Sequence, residues 1–181
     1  ILVIANLTLG RYQRKLEVMA STDKLTGATN RQMFEEYFSH SLQNAEISAT
    51  PVSVILLDID YFKSVNDNFG HSIGDLVIKT VANIIRRQLR SEDIVCRWGG
   101  EEFLLLLPNI DLSHAADMAE RIRESIAERK ISVNEHEIGI TVSSGVAQYK
   151  LGESRADLIN RVDVALYQAK DRGRDQVVLS H

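Results

Sequence analysis

Apolar residues along this chain fall into runs that switch between helical and strand spacing. Leu2, Ala5, Leu9, Tyr12, Leu16 and Met19 step by three and four, a heptad seam that keeps one helix face against a partner. The seam predicts a parallel dimer helix feeding the domain, with packing on its own domain as the alternative. Ser21-Thr22-Asp23 breaks that helix, and Asn30 can cap the next, over Arg31 to about Asn44. Val52 to Asp58 is an apolar run of strand length. After a turn, Asp75 to Arg90 carries Val77, Val81, Ile84 and Ile85 on one helical face. Ile94 to Cys96 and Phe103 to Leu107 read as two strands, stopped by Pro108. Ser113 to Glu128 is helical through Ala115, Met118, Ala119, Ile122 and Ile126. Strands around 131–140 and 141–149 follow, then a helix from Arg155 to Lys170 burying Leu158, Val162, Ala165, Leu166 and Ala169. Val177 to Leu179 closes the chain as a short strand.

This order predicts an α+β fold, a mainly antiparallel sheet with helices on it, built round a ferredoxin-like β-α-β-β-α-β core. Residues 1–20 form the expected linker helix and 21–181 the domain. At 181 residues, 44% hydrophobic and 25% charged, the chain fits one globular domain with an appendage. A net charge of −4 argues against binding nucleic acid by bulk electrostatics, so a polyanionic ligand needs local cations and metal. The single cysteine, Cys96, excludes an internal disulfide and fits a reducing compartment; its strand position predicts a buried structural thiol. The chain begins at Ile1 rather than Met, which is expected of a fragment of a longer protein. Ile1 to Ala5, followed by Arg11, Arg14 and Lys15, reads either as the cytoplasmic end of a transmembrane helix or as an ordinary signalling helix.

Candidate chemistry centres on Gly99-Gly100-Glu101-Glu102 between two strands. Paired glycines there imply a positive φ or close approach of another molecule. Asp58 ends an apolar strand that can lie beside this hairpin in a β-α-β-β unit, so carboxylates from both can converge. Oxygen donors without His or Cys suit Mg²⁺ or Mn²⁺ rather than zinc. A solvated acidic turn is the plainer reading. Asp60 shares the strand face with Asp58.

Further motifs stand in order: Asp23-x-Leu25-Thr26-Gly27-x-x-Asn30-Arg31, Asp58-Ile59-Asp60-x-Phe62-Lys63, Asn66-Asp67-x-x-Gly70-His71-x-x-Gly74-Asp75 and Tyr167-x-Ala169-Lys170-x-x-Gly173-Arg174. With the hairpin, they resemble the GGDEF family of diguanylate cyclases, in the variant with Glu at the third motif position. The resemblance spans nearly all of the chain from Asp23 to Leu179 and implies a palm-like fold. It implies that the Asp58 side chain, the Ile59 carbonyl and Glu101 hold metal, with Glu101 also the general base on the ribose 3′-OH and Glu102 in support. Gly99 and Gly100 would admit phosphate and ribose. Lys63 would stabilise the transition state, the alternative being a salt bridge to Asp60 or Asp67. Lys170 and Arg174 would hold the triphosphate, or else simply answer a helix dipole. Asn66 and Asp75 can read a guanine, or be a turn Asn and an N-terminal helix Asp; His71 would lie near the nucleotide. Asp175 stands where many relatives have Asn. Arg90 and Asp93 match the family's R-x-x-D inhibitory site, with Arg121 as a secondary contact.

The implied activity joins two GTP into cyclic di-GMP with release of two pyrophosphates, in a homodimer restrained by its product. An upstream sensory domain, and a cytoplasmic position tethered to the inner membrane if residues 1–5 end a membrane helix, complete that expectation. The rival readings are a catalytically weak module that binds GTP or cyclic di-GMP, and a mononucleotide cyclase on the related palm fold.

Overall fold

The computed structural model describes residues 21–133 and 136–181. Its middle strand is β1 (Val52–Ile59), buried at every position. β1 pairs antiparallel with β3 (Glu102–Pro108) on one side and β6 (Val142–Gln148) on the other. β2 (Ile94–Arg97) flanks β3, and β7 (Val177–Ser180) runs parallel to β6, giving the order β2-β3-β1-β6-β7. The expected ferredoxin-like core is the β2-β3-β1-β6 part of this sheet. The expected strand around 131–140 is instead a separate hairpin, β4 (Lys130–Val133) with β5 (His136–Gly139). Ile131 and Ile138 pair across it and are both buried, an arrangement open to a hairpin but not to one straight strand.

Both sheet faces are covered, which is why β1 reads as a continuous apolar run. Ile55, Leu57 and Ile59 join the core with α3 (His71–Gln88) and α4 (Leu112–Ala127). Val54 and Leu56 join the core with α1 (Arg31–Ser48) and α5 (Arg155–Asp171). Asn30 caps α1 as expected, its Oδ1 accepting from the Met33 N–H at 2.9 Å; the helix runs past Asn44 because Ala45 still buries. The turn expected before Asp75 contains a short helix, α2 (Phe62–Phe69), which buries Phe62 and Val65 one turn apart. α3 therefore begins at His71 and not at Asp75, and it buries Ile78 and Ala82 beside Val77, Val81 and Ile85, while Ile84 is only half-buried.

Gly145 on β6 decides how closely α5 lies on the sheet. A Cβ there would stand 2.2 Å from the Val162 carbonyl oxygen and 2.6 Å from the Leu166 nitrogen. Its absence brings the end of α5 to the end of β1. The heptad seam and the membrane-proximal reading of residues 1–20 lie outside the described residues. Among those, no helix is long and apolar enough to cross a membrane.

Candidate active site

Strand alternation aims Asp58 toward the α5 side, in register with Glu102 on β3 and Ser143 on β6. There Lys170, in the last turn of α5, places Nζ 2.9 Å from Asp58 Oδ2. Burial pushes the Asp58 carboxyl up to about 6, against the hydrogen bond and charge of Lys170, while Glu101 and Glu102 push it the same way as burial. The Glu101 carbonyl accepts from the Ile59 N–H at 3.3 Å, which ties the hairpin tip to the strand end.

Arg97 braces the tip from below. Its Nε and Nη2 donate to the Gly100 carbonyl at 3.1 and 2.7 Å, and its Nη1 lies 3.6 Å from Asp23 Oδ2. Trp98 packs edge-on against Phe34 and under the Arg31 guanidinium, 4.1 Å from its ring centre. Neither Gly99 nor Gly100 has a positive φ, so the backbone does not require glycine on that ground. A Cβ on Gly99 would stand 2.4 Å from Glu102 Oε2, so this glycine makes room for Glu102. At Gly100 a Cβ would meet nothing within 4 Å, and that side of the tip is open to a ligand.

Among the described residues no three His, Cys, Asp or Glu side chains gather closely enough to hold an ion alone. A hard cation here would take the Asp58 and Glu101 carboxylates with the Ile59 carbonyl, and complete its shell with water and phosphate oxygen. That all-oxygen donor set fits Mg²⁺ or Mn²⁺.

Asp60 is buried and occupied: it accepts from Thr141 Oγ1 at 2.8 Å, Ser143 Oγ at 2.7 Å and the Asp175 N–H at 3.1 Å. It is therefore no partner for Lys63, which lies exposed on α2 and makes no ion pair with Asp60 or Asp67. Asp60 instead anchors the turn after α5, where Arg174 and Asp175 have φ of 67° and 47°. Asp175 Oδ1 lies 2.7 Å from Arg123 Nη1 on α4. The Arg174 guanidinium lies over the Tyr61 ring, 4.6 Å from its centre.

Asn66 lies in α2 rather than in a turn, and its Oδ1 is buried without a hydrogen-bond partner. A Cβ at Gly74 would fall 2.0 Å from that oxygen, so Gly74 makes the pocket that holds the amide. His71 and Asp75 lie exposed on the first turns of α3; Asp75 is the fifth helical residue and not a cap. Arg90 and Asp93 are brought together, but with each other. Asp93 accepts from the Arg90 backbone N–H at 2.8 Å and from Nη2 at 2.8 Å, with its side chain fully buried. Arg90 Nη2 also donates to the Pro108 carbonyl at 2.9 Å. The Asp93 carboxylate thus faces its own arginine and not solvent. Arg121 is exposed on α4 and has no hydrogen bond or ion pair to either.

Over residues 20–176 the chain matches the family described as diguanylate cyclase, GGDEF domain. It belongs to that family. This GGDEF domain is 38% identical over 166 residues to diguanylate cyclase A of Treponema denticola, covering 90% of this chain and 45% of that protein. It is 42% identical over 168 residues to diguanylate cyclase DgcM of Escherichia coli, covering 93% of this chain and 40% of that one. The chain thus spans less than half the length of these relatives. The coiled coil and GGDEF domain of DgcB from Caulobacter crescentus, solved in complex with c-di-GMP, superimposes with a TM-score of 0.90 at 35% identity, covering 98% of this chain and 96% of that one.

Two residues of this GGDEF domain's site carried no sequence signal. Arg123 meets Asp175 across 52 positions of sequence, and nothing in its surroundings along α4 marks it out. Tyr61 falls at the unspecified position between Asp60 and Phe62. Cys96 is fully buried, and burial pushes its thiol up to about 12, as a packing residue rather than a nucleophile requires.

Proposed function

We propose that this GGDEF domain is a diguanylate cyclase, joining two GTP into cyclic di-GMP with release of two pyrophosphates. The observation that carries the reading is the meeting of Asp58, the Glu101 backbone and Lys170 at one strand end, under a hairpin tip left open at Gly100.

Asp58, the Ile59 carbonyl and Glu101 would hold Mg²⁺ or Mn²⁺, which supplies charge neutralisation for the triphosphate and lowers the pKa of an attacking hydroxyl. Glu101 takes the proton of the ribose 3′-OH. That oxygen forms a bond to the α-phosphorus of the other GTP as the bond to its pyrophosphate breaks, and the exchange occurs twice. Lys63, exposed and unpaired with Asp60 or Asp67, meets the charge building on the phosphate oxygens. Lys170 and Arg174 hold the leaving phosphates, and Glu102 supports the metal-binding edge. Asn66 and Asp75 read the guanine, the amide facing the O6 and N7 side and the carboxylate accepting from N1–H and N2–H₂, with His71 beside the nucleotide. Each subunit holds one GTP, so two domains must face each other as a homodimer. The heptad pattern of residues 1–20 would link that arrangement to an upstream sensory domain, with this domain on the cytoplasmic side of the membrane.

Product feedback belongs to the same proposal. The Arg90 guanidinium is about half exposed, and Asp93 fixes its orientation, so Arg90 and Arg121 would grip product phosphate or guanine while Asp93 acts through Arg90.

The test is Glu101→Ala and Asp58→Asn beside the parent, with GTP and Mg²⁺. Both variants should make no cyclic di-GMP and bind the metal nucleotide more weakly. Unchanged product formation by either would remove the proposed site. A parent that binds GTP or cyclic di-GMP without turnover, even when its dimer is enforced, would be a binding module.

A further inference from the structure

We propose that Tyr61 is a positioning residue, its ring holding the Arg174 guanidinium for the phosphates of GTP; this rests on the cyclase reading above. Tyr61 sits at the N-terminus of α2 with φ 55° and ψ 26°, a left-handed conformation that a bulky side chain adopts only at a cost. Its ring repays none of that cost by burial, since the residue is 64% exposed. Its side chain makes no capping hydrogen bond, and its carbonyl, which accepts from the Ser64 N–H at 2.9 Å and the Val65 N–H at 3.3 Å, could be supplied equally by glycine. What the ring does touch is Arg174, whose guanidinium carbon lies 4.6 Å from the ring centre.

The two residues meet because one strand end grips the turn after α5 twice. Asp60 accepts from the Asp175 N–H at 3.1 Å, and the Arg174 N–H donates to the Ala169 carbonyl at 3.0 Å, which fixes the backbone. Tyr61, the next residue after Asp60, then takes the side chain. Among the described residues no carboxylate pairs with Arg174. A guanidinium stacked on a ring commits its face and keeps its in-plane N–H donors, the ones that grip a phosphate. Lys170 reaches the site from one helical turn earlier, through Asp58. The strand end thus aims both cations with side chains three positions apart, Asp58 for Lys170 and Tyr61 for Arg174.

The experiment uses the 181-residue chain and its Tyr61→Gly, Tyr61→Leu, Tyr61→Phe and Arg174→Ala variants. Binding of GTP and of GMP with Mg²⁺ is measured by calorimetry, and stability by thermal unfolding. Glycine relieves the left-handed strain, so Tyr61→Gly should unfold at or above the parent temperature. It should nevertheless weaken GTP by about 3- to 30-fold, the worth of a cation–π contact, with little effect on GMP, which lacks the outer phosphates. Tyr61→Leu keeps bulk without a π face and should show the same selective loss; Tyr61→Phe should keep most of the affinity. Equal losses for GTP and GMP, or loss in Tyr61→Phe as deep as in Tyr61→Gly, would show a merely structural role. If Arg174→Ala weakens GTP and Tyr61→Gly does not, the inference fails and the cyclase reading stands. A parent that binds no GTP sinks both.

Discussion

Lys170 Nζ lies 2.9 Å from Asp58 Oδ2, so the last turn of α5 is clasped to the end of the middle strand. The carboxylate is the more buried partner, with 10% of its side chain exposed against 33% for the lysine. Lys170 thus compensates a buried charge, and in the proposed site its remaining donors would meet phosphate. Replacing it with Met removes both. Loss of a charge-assisted contact should raise the KM for GTP by about 10- to 100-fold. The variant should also unfold at lower temperature near neutral pH, because breaking a buried pair leaves the carboxylate uncompensated. Unfolding and GTP titrations of Lys170→Met check both effects.

The Asp58 carboxyl gives the site a pH signature. It stands at about 6, raised chiefly by burial, so between the ordinary carboxylate range and about 6 it holds its proton in the folded state and not in the unfolded chain. Its contribution to stability is therefore fully present below the ordinary carboxylate range and is lost as pH rises through about 6. In metal-free protein the parent should gain unfolding temperature relative to Asp58→Asn as pH falls from neutral to about 5. A difference that does not change with pH would show that Asp58 titrates as an ordinary exposed acid.

Gly145→Ala should damage the site from a distance. The added Cβ would meet the backbone of α5 at 2.2 and 2.6 Å, so the helix must move away from β6. Overpacking of this kind costs about 1–3 kcal/mol, read from denaturant unfolding. Turnover should fall further than stability alone explains, since Lys170 rides on that helix.

Arg123→Ala removes the partner of Asp175 without touching the turn itself. Because the Arg123 side chain is mostly buried and also pairs with Glu120, the stability loss should be about 1–3 kcal/mol. The expected kinetic effect is a several-fold rise in KM for GTP with little change in kcat, as the turn bearing Arg174 loses its tie to α4. A fall in kcat at constant KM would contradict it.

Gly74→Ala tests the guanine assignment. Its Cβ would fall 2.0 Å from Asn66 Oδ1 and displace the amide. The preference for GTP over ATP should narrow, as in Asn66→Ala, when the two nucleotides compete for binding.

Much of this was legible because strand alternation and helical periodicity are local. The β1 run, the hairpin, α4 and α5 follow from spacing, and the meeting of β1 with the hairpin follows from β-α-β-β connectivity. The α2 helix was not legible: eight residues with two buried apolar positions make too short a pattern to stand out from a turn. The hairpin of β4 and β5 was hidden because two four-residue strands read as one longer run. At the site, residues with motif partners could be named, but contacts between distant segments could not. For Asp60 the spacing said only that it shares the strand face with Asp58; its partners Thr141, Ser143 and Asp175 come from distant segments. Lys63 had two candidate ion-pair partners and takes neither. Asp93 was expected to face a ligand and faces Arg90.

The central claim is that two copies of this site join two GTP. Parent protein with GTP and Mg²⁺, followed by chromatography with mass detection over a range of protein concentrations, tests it most directly. The account predicts cyclic di-GMP, with specific activity that climbs with protein concentration as dimers form. Cyclic GMP as the product, or no nucleotide product even from an enforced dimer, would contradict it.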